Sequence, residues 1–120
     1  MIWTLFLDDE RTPTWDLGPD VLVARTCDQA RELVNEFGCP SVISFDHDLG
    51  TPETGLSFLW WLIDEDLDDR LDLATVTRVI VHSMNPTRAK NIAELWNGYA
   101  STELNSDVQA ELRPRRSITK

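Results

Sequence analysis

Three runs of apolar residues in this chain are continuous rather than alternating, and each breaks off into a cluster of polar side chains. Residues 2–7 (Ile2-Trp3-Thr4-Leu5-Phe6-Leu7) lead into Asp8-Asp9-Glu10-Arg11. Residues 41–45 (Ser41-Val42-Ile43-Ser44-Phe45) lead into Asp46-His47-Asp48-Leu49-Gly50, and residues 76–81 (Val76-Thr77-Arg78-Val79-Ile80-Val81) into His82-Ser83-Met84-Asn85. A strand covered on both faces reads as such a run, whereas a half-exposed strand alternates. The pattern therefore predicts three interior strands of a parallel sheet. Residues 21–25 add another short strand, and residues 108–112, which alternate apolar with polar, predict an edge strand.

The segments between the strands carry helical spacing. Thr26 or Asp28 can cap a first helix whose apolar positions are Ala30, Leu33, Val34 and Phe37, with Gly38 as its stop. A second is expected over residues 56–66, with Leu56, Leu59, Trp60 and Ile63 as its stripe and Phe58, Trp61 and Leu62 widening it. The acidic residues 64–69 oppose the helix dipole, so fraying is expected there. Asn85-Pro86 open a third helix, as N-cap and first helical residue; Ala89, Ile92, Ala93, Leu95 and Trp96 give its buried side, and Gly98 marks an end or a kink. Residues 9–20 hold Pro13, Gly18 and Pro19 around Trp15, which predicts a loop in place of a helix. The resulting order, β-β-α-β-α-β-α-β, is that of an α/β domain with a parallel sheet.

Composition narrows the function. A chain of 120 residues builds one core, so residues 1–120 are read as a single domain. With 21 acidic against 11 basic residues the formal charge is −10, which disfavours long duplex nucleic acid and anionic membrane as partners. Any phosphate ligand then needs local help from a metal ion or a few basic groups. Cys27 and Cys39 are too few for a secreted disulfide framework. No apolar stretch approaches a spanning helix and no signal-peptide pattern opens the chain, so reduced thiols in a cytoplasmic protein are expected. The run at residues 64–69 lacks the glycine and terminal glutamate of a calcium loop and reads as solvated surface.

Ligands of open α/β sheets bind beyond the carboxyl ends of the strands, which is where the polar clusters fall. Converging carboxylates repel unless a cation compensates them. Asp8, Asp9 and Asp46 are therefore candidate ligands of a hard divalent ion, Mg²⁺ or Mn²⁺, with Asp48 as a further ligand or an orienting group. His47 and His82 are the chain's only histidines. Imidazole is the ordinary acid or base near neutral pH, so His47 and His82, with Asp46 and Asp48, are the candidate catalytic groups. Arg11, Ser83 and Asn85 are candidate phosphate contacts, and Arg88 and Lys90 lie near the third helix's N-terminus, where an anion is favoured. Each has a plainer reading: Asp8-Asp9 as a turn capping backbone amides, His82 as an imidazole satisfied by a carbonyl, Asn85 as a helix cap, Ser83 as a turn hydroxyl, and Arg88 and Lys90 as solvated surface.

With these blocks in place the chain resembles a response-regulator receiver domain, through paired acids at Asp8 and Asp9, an aspartate at Asp46, a glycine at Gly55 and a hydroxyl at Ser83. More specifically, residues 5–13, 44–50 and 82–86 are similar to the atypical receiver-like family described as cyclic-phosphate processing. That resemblance implies a receiver-like, flavodoxin-like three-layer fold reduced by loss of the first and last helices, with a five-stranded parallel sheet of order 2-1-3-4-5. It implies action on a small nucleotide or RNA terminus bearing a phosphate or cyclic phosphate, as a phosphodiesterase or phosphohydrolase. Two departures stand out. The helices that would cover one sheet face are missing, so Trp15, the tail or a second copy of the chain is expected to cover it, and a homodimer through that face is one outcome. The receiver lysine after the fifth strand has no clear counterpart; Arg113-Pro114 is nearest, and arginine does not replace lysine there. A phosphoacceptor switch centred on Asp46 and an inactive adaptor acting by protein binding are the alternatives to an enzyme.

Overall fold

A computed structural model describes residues 2–9, 18–46, 54–83 and 86–114. Its elements are β1 (Thr4–Leu7), β2 (Val21–Ala24), α1 (Cys27–Phe37), β3 (Val42–Asp46), α2 (Gly55–Leu67), a 3₁₀ turn (Leu73–Thr75), β4 (Arg78–Ser83), α3 (Pro86–Thr102) and β5 (Ala110–Pro114). All four strand pairings are parallel and the order is β2-β1-β3-β4-β5. This is the receiver-like sheet that the resemblance implied.

The three helices pack against one face. Leu5, Leu7, Ile43, Phe45, Val79 and Val81 point to that side and share a core with Ala30 and Val34 of α1, Phe58, Leu59 and Leu62 of α2, and Ile92 and Trp96 of α3. Thr26 caps α1, its hydroxyl accepting from the Gln29 amide at 3.1 Å. The Trp96 indole donates to the Val108 carbonyl at 3.0 Å, and the Ala110 amide donates to Asn97 Oδ1 at 2.8 Å, which ties β5 to α3.

Four expectations about elements change. The runs predicted as strands at 41–45, 76–81 and 108–112 begin one or two residues later than expected. Before β4 the cause is the 3₁₀ turn, after which Val76 enters the core and the Thr77 amide donates to the Ser41 carbonyl at 2.7 Å. Asp46, His82 and Ser83 consequently lie inside strands rather than past their ends. Trp60 is 51% exposed, and Phe58, Leu59, Leu62 and Ile63 are the buried side of α2. Only Ser57 interrupts the apolar residues 56–63, so their spacing fixes no phase. Packing and the reciprocal Thr54–Ser57 cap fix it instead. Nor does α2 fray early: Arg70 folds back to bond Glu65 and Asp68, and Asp66 accepts from the Leu73 amide and the Tyr99 hydroxyl. Burial together with the Asp66 contact pushes the Tyr99 hydroxyl above its usual pKa.

Gly98 does not end α3, which runs on to Thr102. A Cβ at Gly98 would meet nothing within 4 Å. Gly98→Ala should therefore stabilise the protein by about 0.5–1 kcal/mol, the difference in helix propensity, measured as a higher urea midpoint with unchanged slope.

Among the described residues no helix residue joins the cluster on the other face, where Phe6 and Ile80 pack with Val21. Phe6, Ser44 and Ile80 are nonetheless fully buried, so the centre of this face is not open to a second copy of the chain. At one end the backbone at Gly18 lies so close that a Cβ there would stand 2.7 Å from Thr4 Oγ1. Trp15 and residues 115–120, the other expected covers, lie outside the described residues. Cys27 and Cys39 form no disulfide, and burial pushes the Cys39 thiol up to about 11.

Candidate functional site

Side chains two apart on a strand share a face, so Thr4, Phe6 and Asp8 lie on the face away from the helices, with Ser44 and Asp46, and with Ile80 and His82. The register aligns Phe6 with Ser44 and Ser44 with Ile80, and it pairs Asp46 directly with His82. Ser44 is the small member of its row. Phe6 and Ile80 meet across it, and the His82 ring lies back over it, stacked on Phe6 with centroids 5.5 Å apart and planes 15° from parallel. From there Nδ1 is 3.2 Å from Ser44 Oγ and Nε2 is 3.2 Å from Asp8 Oδ2. One imidazole thus bridges three strands.

Asp8, Asp46 and His82 form a group whose ligand-capable atoms lie within 4.8 Å of one another, all buried. The backbone holds both acids in place. The Asp8 amide donates to the Ala24 carbonyl at 3.0 Å, and Arg25 Nη1 donates to the Asp8 carbonyl at 3.1 Å. The Asp46 carbonyl packs against the first residue of α2, where a Cβ on Gly55 would stand 2.5 Å from its oxygen. The cap fixes that helix start: the Thr54 amide donates to Ser57 Oγ at 2.9 Å and the Ser57 amide to Thr54 Oγ1 at 3.3 Å.

Burying two carboxylates this close together is costly unless positive charge or hydrogen-bond donors offset it. The His82 ring supplies one donor. Two carboxylates beside an imidazole also suit a divalent cation: the oxygens fit Mg²⁺ or Mn²⁺, and the nitrogen is acceptable to Mn²⁺. With Nε2 directed at Asp8, the donor set is weighted toward oxygen.

Of the residues singled out from sequence, the structure brings together Asp8, Asp46 and His82. Asp9 is half-buried and outside the group of three. Ser83 ends β4 in register with Pro114, and only its backbone is described. Arg11, His47, Asp48 and Asn85 lie outside the described residues. Lys90 is exposed and pairs with Glu94 at 3.8 Å. Arg113 is in register with His82, yet its guanidinium turns back to Glu111 at 3.5 Å. Arg78, 2.8 Å from Glu111, holds that carboxyl below its usual range. Ser44, Phe6 and Arg25 were missed as site residues, although a serine within an otherwise apolar interior strand was a signal that its hydroxyl needs a partner.

Residues 3–98 match the sequence model of the family described as the cyclic-phosphate processing receiver domain. The chain belongs to that family. The matched stretch runs from β1 into α3 and contains Asp8, Ser44, Asp46 and His82. No curated protein and no solved structure matches the chain. No helix among the described residues is long and apolar enough to cross a membrane.

Proposed function

We propose that this receiver-family chain is a metal-dependent enzyme that opens a cyclic phosphodiester on a small nucleotide or an RNA terminus. The observation that carries the reading is the convergence of Asp8, just past the end of β1, with Asp46 of β3 and His82 of β4 into one buried group; the family's description supplies the substrate class. Asp8 and Asp46 would hold Mg²⁺ or Mn²⁺, with Asp9 next to Asp8 and Asp48 two residues after Asp46. When bound, such an ion would withdraw charge from a phosphoryl oxygen. In the reaction a water oxygen bonds to phosphorus while a base takes its proton, one ribose oxygen–phosphorus bond breaks, and the departing oxygen takes a proton from an acid. Imidazole is the side chain suited to both transfers, and His47 follows Asp46 directly. Arg11, Ser83 and Asn85 are the proposed phosphate contacts.

The acidic composition fits a small or terminal substrate better than a long duplex. The test is incubation with Mg²⁺ or Mn²⁺ and a panel of cyclic mononucleotides and cyclic-phosphate-ended oligonucleotides. Ion-dependent turnover of at least one class is expected, with a loss of about 100-fold or more in His47→Ala, at the lower end of what a positioned acid or base contributes. Labelling of Asp46 by a small phosphodonor without turnover would instead establish a phosphoacceptor switch. Absence of both would leave a binding module.

A further inference from the structure

We infer that His82 is a positioning residue for Asp8 rather than a proton-transfer residue, and that Ser44 sets its tautomer. This rests on the proposed ion site. A carboxylate only accepts hydrogen bonds, so the nitrogen facing Asp8 Oδ2 at 3.2 Å, Nε2, carries the hydrogen. In the neutral ring Nδ1 is then an acceptor, and Ser44 Oγ, 3.2 Å away, is placed to donate to it. Hydroxyl, imidazole and carboxylate form one directed chain, Ser44 to His82 to Asp8.

Both ring nitrogens are thereby engaged by protein groups, one ring face lies on Phe6, and the residue is 4% exposed. A general acid or base must instead present a nitrogen to its substrate within hydrogen-bond reach. What the arrangement does supply is a fixed orientation for a metal-binding carboxylate. Partners of this kind, one step removed from the ion, hold a ligand's plane. The two histidines then divide the work: His82 keeps Asp8 aimed, and proton transfer falls to His47.

The experiment uses Mn²⁺ alone as probe, titrated by electron paramagnetic resonance, with circular dichroism to verify folding. His82→Ala should weaken Mn²⁺ binding by about 10- to 100-fold, the usual cost of losing such a partner. His82→Gln, whose amide can donate in place of Nε2, should restore affinity to within a few-fold of wild type, and Ser44→Ala should weaken it several-fold. The inference is overturned if folded His82→Ala binds Mn²⁺ as tightly as wild type, or if His82→Gln is as impaired as His82→Ala. Should His82→Ala not fold, wild-type affinity in Ser44→Ala overturns it. Failure of the wild-type chain to bind Mn²⁺ overturns the ion site itself, which separates that outcome from a wrong role for His82.

Discussion

Asp46→Asn is expected to abolish stabilisation by divalent ions while making the ion-free protein more stable. The wild-type chain at an ion concentration of 100 times its Kd should gain about 2.7 kcal/mol from binding, because the ion binds the folded state alone. The asparagine variant should gain nothing measurable. Without ions the order reverses. Asp8 and Asp46 are fully buried members of one group within 4.8 Å, and neutralising one of two like charges removes a repulsion worth roughly 1 kcal/mol, the equivalent of about one pKa unit. Thermal midpoints with and without Mg²⁺ measure both effects. A site built only for packing would show a drop, or no change, in both conditions. Turnover should disappear with ion binding.

Gly55→Ala is expected to damage fold and site together. The added Cβ would lie 2.5 Å from the Asp46 carbonyl oxygen, 3.1 Å from its carbonyl carbon and 3.3 Å from Ile92 Cδ1. Two of these atoms belong to the backbone of the strand that carries a candidate ligand, so relief comes only by moving β3 or the start of α2. Overpacking of this kind costs about 2–3 kcal/mol, measurable as a lower urea midpoint. Either movement disturbs the contact between the Asp46 carbonyl and the start of α2 that holds Asp46 in place, and Mn²⁺ affinity should fall by about 10-fold or more, as when a ligand's support is lost. Gly98→Ala, the same substitution in open space, should move stability the other way.

The contrast between these glycines shows what sequence reading reached. Continuous apolar runs identified β1, β3 and β4, because a strand covered on both faces leaves no alternation to misread, and the polar residues ending each run marked Asp8, Asp46 and His82. Asn85-Pro86 placed the start of α3 from capping chemistry alone. Tertiary contacts decided what was not legible. The uninterrupted apolar stretch of α2 concealed its phase, so Trp60 was assigned to the core although it is half exposed. The shift of β4 toward the C-terminus came from a 3₁₀ turn whose hydrogen bonds to Asp72 and Leu73 carry no apolar signature. Ser44 passed as one position of an apolar run, and only the register shows that its small size admits the His82 ring between β1 and β4. Gly55 was read as a family marker; its close approach to a backbone carbonyl cannot be seen in one dimension.

β5 bears on how the sheet ends. It is the outermost strand beside β4, it closes on a proline, and it carries Glu111 and Arg113, with Arg78 of β4 paired to Glu111. A strand from another molecule arriving there would find charge to desolvate. That flank therefore resists templated growth, and fibrillar stacking through it is disfavoured even at high protein concentration.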